Sequence, residues 1–260
     1  MENLIEISRH LLGMPVVASK HGPDVDKLVV MVHWLMASLF IGWFAYFILA
    51  LLKFNNKANP KADYVGIKGH ASSYLEAVVA IIEGVLLLGF AVPLWAASVD
   101  NFPKESESTN IRIVAQQFGW NAFYPGKDGK FGAQKPELVS TDNPWGFVKD
   151  DEAGKDDFYS YNEIHVPVNK PVLINLTSKD VIHDFKVIAM RVTQDAIPGL
   201  RIPIHFTPVK TGVYQINCAQ LCGNGHSTMS AGRLRVDTQE DYDAWVATKS
   251  KSGGKPASLE

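Results

Sequence analysis

The chain has almost no cysteine, two residues in 260, so one internal disulfide is the most it can form. No Cys-x-x-Cys-His occurs, which excludes a covalently attached c-type heme. Neither sign of charge dominates: 25 Lys and Arg stand against 27 Asp and Glu, and a net charge of -2 argues against nucleic acid as a partner. No internal repeat is visible. Between Leu28 and Leu52 there is no formally charged residue at all.

That last absence defines the class. "LVVMVHWLMASLFIGWFAYFILALL" has the length to cross a bilayer core as a helix. It is too long, starts too late and lacks the small-residue pattern of a cleaved secretory signal. "YLEAVVAIIEGVLLLGFAVPLWAA", Tyr74–Ala97, reads as a second span carrying Glu76 and Glu83, whose carboxylates must face protein or water rather than lipid. Seven residues apart, the two lie on one helix face. The link between the spans holds Lys53, Lys57, Lys61 and Lys68 against Asp63, so positive-inside bias places it in the cytoplasm and both termini outside. "MENLIEISRHLL" is short enough to be either an interfacial helix or a loop.

Beyond Ala97 the text changes to short β-rich runs, "NIRIVAQQF", "NEIHVPVNKPVLINLTS", "VIHDFKVI", "IPIHFTPVKTGVYQINC" and "GRLRV", punctuated by turn residues. These predict an all-β sandwich or barrel of ordinary domain size. One helix is expected at its end, "DYDAWVATK", with Thr238 as N-cap and Asp241 three residues on. A loop-like insertion lies between Gly132 and Phe158 and closes on the charge run "KDDEAGKDD". The boundaries read as an outward N-terminal segment 1–27, transmembrane helices 28–52 and 74–97, a cytoplasmic link 53–73, an outward β domain 98–247 and a disordered tail 248–260.

Both cysteines sit in "CAQLCGNGHSTM", Cys218–Met229. A disulfide is the simplest use of two exported thiols, but it leaves His226 and Met229 on the same loop without a reason. Thiolate, imidazole and thioether together are the soft donor set that copper favours. Two thiolates can bridge two coppers, and such a centre carries electrons rather than activating a substrate. It needs a second imidazole, for which His165, His183 and His205 are available; His183 stands out in the strand-opening segment "SKDVIHDF".

These residues resemble subunit II of the heme-copper cytochrome c oxidases, a membrane hairpin with an outward cupredoxin-like domain, the CuA domain. The family's loop Cys-x-Glu-x-Cys-Gly-x-x-His-x-x-Met is matched by "CAQLCGNGHSTM", and its Asp-Val-x-His-Ser-Phe by "DVIHDF". "DAIPG", the aromatic run "QQFGWNAFYPG" and the Leu-Glu pair of the second span extend the likeness over about residues 28–247. The resemblance implies a dinuclear copper bridged by Cys218 and Cys222, with His183 and His226 as terminal ligands and with Met229 and the Gln220 backbone carbonyl as weak axial ones. It leaves His165 and His205 as structural residues. It further implies a respiratory terminal oxidase in which subunit I holds the oxygen chemistry, subunit III and a cytochrome c or other c-type heme donor are partners, and a larger respiratory supercomplex is a candidate assembly. The location implied is a bacterial inner membrane, crossed twice, with the copper domain on the periplasmic side. This chain alone is expected to show no oxidase turnover.

Two departures qualify the likeness. Gln220 replaces the family's Glu, whose side chain also helps hold a magnesium ion against subunit I; a neutral amide is a poorer ligand for a hard dication, which argues against magnesium here. Phe118 replaces the first Trp of the aromatic run, the residue through which the family takes electrons, while Trp120 matches the second. Phe118 and Trp120 are therefore the candidates for electron intake, with a core position the competing reading for Trp120. Glu76 matches the glutamate that admits protons to a subunit I channel, and Asp195 matches an acid of the donor-docking face. Glu83, where the family has Pro, is better read as a hydrogen-bonding group toward a partner helix, and the Asp150–Asp157 run as a solvated loop before a docking patch.

Three rival classes would differ in sequence. A quinol oxidase subunit would lack the copper ligands, and a copper-dependent nitrogen-oxide reductase would need a further catalytic domain. A copper carrier would be expected to expose exchangeable Met, His or Cys sites.

Overall fold

The computed structural model describes residues 2–61, 64–66, 68–140, 143 and 145–251. The chain divides into two compact units, one made of the chain up to Met14 with Asp24–Ala97, the other of Pro15–Pro23 with the chain from Ser98 onward.

The first unit is helical. Helix α1 spans Glu2–Leu11 and α2 spans Gly22–Lys53; α3 (Ala71–Leu86) runs through a π-helical turn, Leu87–Ala91, into α4 (Val92–Val99). Gly22–Lys53 and Ala71–Val99 each contain an 18-residue apolar stretch, of mean hydropathy 2.2 and 2.4, and no part of either apolar stretch is buried inside the chain. Helices apolar on every side and uncovered by their own protein are membrane spans. Pro93 accounts for the π turn. It has no N–H to give, and its ring crowds the carbonyl four residues back. The helix widens just before it, so that the Val92 N–H reaches the Leu87 carbonyl five residues earlier. Glu76 and Glu83 are both exposed on α3.

The second unit is the β domain. Its strands are β1 (Thr109–Gln116), β2 (Gly119–Tyr124), β3 (Phe158–Tyr161), β4 (Glu163–Pro167), β5 (Val172–Ser178), β6 (His183–Val187), β7 (Val192–Ala196), β8 (Ile202–Phe206), β9 (Gly212–Gln215), β10 (Asn217–Cys218) and β11 (Arg233–Asp237). They form one five-stranded sheet, β3-β2-β1-β5-β8, and two three-stranded sheets, β10-β6-β7 and β4-β11-β9. Most pairings are antiparallel, but β1 runs parallel to β5 and β11 parallel to β4. Alternation does the packing along β1, where Ile111, Ile113 and Ala115 point inward. They meet Trp120, Val172, Ile174, Leu176, Phe185 and Leu234 in one core. This is the expected cupredoxin-like sandwich.

Helix α5 (Gln239–Lys251) closes the domain, and its start is the expected cap: Thr238 Oγ1 accepts the Asp241 N–H at 3.1 Å and donates to the Asp241 carboxylate at 2.8 Å. Trp245 docks the helix by stacking on His165, with ring centres 4.1 Å apart, and by edge contacts to Tyr124 and Phe158.

Several boundaries differ from expectation. The helices that carry the spans extend beyond 28–52 and 74–97 at each end. Helix α5 carries regular structure to Lys251, so the tail expected from 248 is helical at its start, and its remainder, 252–260, lies outside the described residues. Residues 1–27 do not form one unit: Pro15–Pro23 belongs to the β domain, and helix α2 already begins at Gly22. The Ala18 N–H donates to the Ala189 carbonyl and the Val209 N–H to that of Ala18, each at 2.8 Å, and Ser19 Oγ donates to the Met190 carbonyl at 2.7 Å.

The insertion is irregular, as expected, but it is packed. Trp145 lies against Phe123 and near Tyr159, with the Lys179 ammonium over its ring. The acidic run at its end is not simply solvated. Asp151 accepts the N–H groups of Ala133 and Ala153, Asp156 that of Lys127, and Asp157 that of Gly132. Burial pushes the Asp157 carboxyl up to about 6, against the pull of the Gly132 and Gly126 N–H groups and of Arg112, with Asp156 adding to the rise. A carboxyl raised in the fold favours the fold when protonated, so its contribution is full below its ordinary range and is lost as pH climbs through about 6. The melting temperature of the chain should therefore fall between about pH 4 and pH 6 on account of this group. In Asp157→Asn that component should vanish, measured by thermal unfolding in a buffer series.

Candidate metal centre

The donor atoms come from two places that the sandwich brings together. His183 opens β6 and is fully buried. Cys218 ends β10, which pairs with β6 so that Cys218 stands opposite Phe185. Beyond it the chain loops through Cys222 into a 3₁₀ turn, His226–Ala231. A 3₁₀ turn has three residues per turn and eclipses positions i and i+3, so His226 and Met229 lie on one side of it. That side faces Cys222.

The resulting distances are short throughout. Cys222 Sγ is 3.9 Å from Cys218 Sγ, 3.5 Å from His226 Nδ1 and 3.4 Å from Met229 Sδ. His183 Nδ1 is 3.2 Å from Met229 Sδ and 4.0 Å from Cys218 Sγ, and the Gln220 carbonyl oxygen is 3.0 Å from Cys218 Sγ. Both thiols are free. Two donors held about 2.0–2.3 Å from one ion at the tetrahedral angle stand roughly 3.3–3.8 Å apart; the Cys222 contacts to His226 and Met229 fall in that range, and the other separations lie close to either side of it. Among the described residues, His183, Cys218 and Cys222 are the group of three metal-binding side chains close enough to share an ion.

Electrostatics favour a cation there. Burial, reinforced by the neighbouring Cys218, pushes the Cys222 thiol up to about 11. The buried Cys222 thiol therefore resists ionisation until a positive charge sits beside it.

Two residues that sequence reasoning did not single out hold the donors in place. Asp180 Oδ1 accepts from His183 Nε2 at 2.8 Å, leaving Nδ1 to face the sulfurs, while its Oδ2 accepts the Gln117 N–H at 2.7 Å. A carboxylate on the far nitrogen fixes the tautomer and orientation of a ligating imidazole. Burial works against the Asp180 charge, but hydrogen bonds from His183, Gln117 and Val181 keep its carboxyl below the usual range. The Gln117 side chain donates in turn to the Cys222 carbonyl at 2.5 Å. Asp180 lies inside the quoted "DVIHDF", three residues before His183, and that spacing was the available signal. Gln117 had none.

The aromatic pair separates. Trp120, expected with Phe118 in electron intake, is wholly buried: its indole N–H donates to the Met229 carbonyl at 3.1 Å and its ring packs edge-on to Phe185. A ring in that position is beyond the reach of a donor's surface. Phe118 is half-buried and lies over the ligand loop at Gly223 and Gly225. Gly223 has φ of +136°, open to glycine, and a Cβ there would also press on Gln117 and Phe118. His165 bonds Asp237 and stacks on Trp245, and His205 packs against Phe102, so neither belongs to the cluster. Asp195 is half-exposed on β7, directly across from Asp184, whose carboxyl is raised by burial and by Asp195 itself despite bonds from Thr193.

The family profile for the periplasmic domain of cytochrome c oxidase subunit II matches residues 149–233, which include all six candidate ligands. An alternative cytochrome c oxidase subunit 2 of Bradyrhizobium diazoefficiens is 29% identical over 231 residues, covering 88% of this chain and 82% of that protein. A probable cytochrome c oxidase subunit 2 of Rickettsia bellii is 32% identical over 208 residues, covering 78% of this chain and 71% of that protein. Among solved structures, the periplasmic domain of subunit II of the Bradyrhizobium japonicum oxidase aligns with 58% of this chain and 99% of its own, at 30% identity and a TM-score of 0.41.

The contact between loop and ring can be tested by a double-mutant cycle. A Cβ on Gly225 would run into the Phe118 ring, so Gly225→Ala should cost about 1–3 kcal/mol as overpacking. Combining it with Phe118→Ala should destabilise the chain by less than the sum of the two changes, as measured by thermal unfolding.

Proposed function

Because the chain belongs to the cytochrome c oxidase subunit II family, we propose that the six convergent donors hold a dinuclear copper centre that serves electron intake. The chain is the electron-accepting subunit of a respiratory heme-copper terminal oxidase, anchored in the membrane by two helices. The convergence itself carries the proposal: thiols, imidazoles and a thioether from separate segments meet within 3.2–4.0 Å of their neighbours.

The distances sort the donors. His183 and Met229 are neighbours and would serve one ion, while His226 and the Gln220 carbonyl would serve the other, with Cys218 and Cys222 shared. Bound there, two coppers would supply a one-electron carrier. The protein's part is to keep the donors still. Asp180 locks the His183 ring, Gln117 ties down the Cys222 carbonyl, and the Trp120 indole holds that of Met229. Donors fixed in this way need little rearrangement when the charge at the centre changes.

Around this centre we assign Phe118 to the surface that meets a c-type heme donor, with Asp195 on the docking face. The Lys-rich link is assigned to the cytoplasm and the β domain to the periplasm of a bacterial inner membrane. Gln220 contributes only its carbonyl, and its amide side chain makes magnesium at this place unfavourable. Glu76, near the start of the second span, is assigned to proton admission and Glu83 to a hydrogen bond with a partner helix, because a carboxylate in a span needs protein or water beside it.

Copper loading of the full chain, followed by metal analysis and electron paramagnetic resonance, should give two coppers per chain sharing one unpaired electron. Cys218→Ser and Cys222→Ser should each abolish that shared-spin signal; an unchanged spectrum in either variant refutes the bridging assignment. In the assembled oxidase, Glu76→Ala should slow turnover with copper content unaltered. Wild-type turnover of that variant across the pH range would remove Glu76 from proton admission.

A further inference from the structure

Helix α1 has three faces, and each has a distinct neighbour. At about 100° per residue, Ile5, Ser8, Arg9 and Leu12 fall on one side, Asn3, Glu6 and His10 on a second, and Leu4, Ile7 and Leu11 on a third. The first side is fastened to α2. Arg9 Nε donates to Asp26, itself buried, at 2.9 Å, and the Trp34 indole N–H donates to Ser8 Oγ at 3.0 Å. The second side is polar and exposed. The third is apolar and uncovered, with Leu4, Ile7 and Leu11 exposed by 53%, 56% and 78%.

The depth of the attachment says what covers that third face. Asp26 stands just before the uncharged run that begins at Leu28, and Trp34 lies six residues into it, roughly 9 Å along the helix. A helix bonded to both is held at the level of the bilayer interface. Interfacial helices bury an apolar face about 5–10 Å into the headgroup and acyl boundary, with their polar face toward water. The uncovered stripe adjoins the α2-facing side, and a crevice of ≈150 Å³ between the two helices is lined by Ser8, Leu11, Val30, His33, Trp34 and Ala37. The stripe is thus continuous with the uncovered apolar surface of the span.

We propose that α1 is a membrane-interface helix, latched to the first span through Arg9–Asp26 and Ser8–Trp34, that lays Leu4, Ile7 and Leu11 among the acyl chains around the N-terminal end of α2. This assignment is independent of the copper centre. Lipid is the occupant that the attachment favours, because the latch fixes α1 at a depth where the surface of α2 already faces hydrocarbon. The polar side meanwhile keeps Glu6 and His10 toward water.

A photoreactive benzoylphenylalanine placed at Ile7 in the whole oxidase, in its native membrane, tests the occupant. Irradiation should yield adducts of the chain with phospholipid acyl groups, seen as lipid-sized mass increments on the peptide carrying residues 2–20. The same probe at His10 should give none. An adduct between position 7 and another protein subunit would replace lipid by a protein interface and overturn the proposal. The absence of any adduct at position 7 would place the stripe in water and overturn it equally. A second reading is hydrogen exchange of the complex in nanodiscs. Ile7→Glu with Leu11→Glu should raise exchange across residues 3–11 at least tenfold, while residues 15–23, held by the β domain, keep wild-type protection. Unchanged exchange in α1 would contradict immersion.

Discussion

The carboxylate of Asp180 has both oxygens committed, one to His183 and one to the backbone of Gln117, and the arrangement of the donor atoms follows from it. The first bond decides which imidazole nitrogen faces the sulfurs. The second pins the end of β1, and the Gln117 side chain carries that restraint to the carbonyl of Cys222. The two ligand segments, at His183 and at Cys218–Met229, are thereby set against each other through a single acidic residue and Gln117. In a buried site such bonds are stronger than in water, and a lost partner costs correspondingly more.

Around this, the rest of the sandwich acts as a mould. Trp120 fills the space beneath the 3₁₀ turn and holds its Met229 carbonyl, while Phe118 closes over the two glycines of the loop. Neither the turn nor the loop needs strong intrinsic stability, because the surrounding aromatics leave them one shape. The same economy governs the insertion, where Trp145 provides the packing and three aspartates satisfy the backbone of the adjoining loop.

The donor set was legible because a short loop forces its residues together whatever the surrounding fold, and because few side-chain types bind soft metals. The spans were legible because twenty-odd apolar residues have few other uses. The role of Trp120 was open because β2 is buried on both faces, so no alternation of polar and apolar residues distinguishes inward from outward. The acidic run looked solvated because its function lies in backbone groups far along the chain, which composition does not reveal. Segment 15–23 carried no pattern at all. Ala18 and Ser19 are small, and what fixes them is hydrogen bonding to residues about 170 positions away.

That segment has a consequence for how many times the chain crosses the membrane. Because Ala18 and Ser19 are built into the same β domain as the strands that follow Ser98, both stretches must lie on one side of the bilayer. The polypeptide between them can then cross only an even number of times. A single span, or three, is incompatible with the folded domain, and the two apolar helices are the smallest number of crossings that lets the domain close.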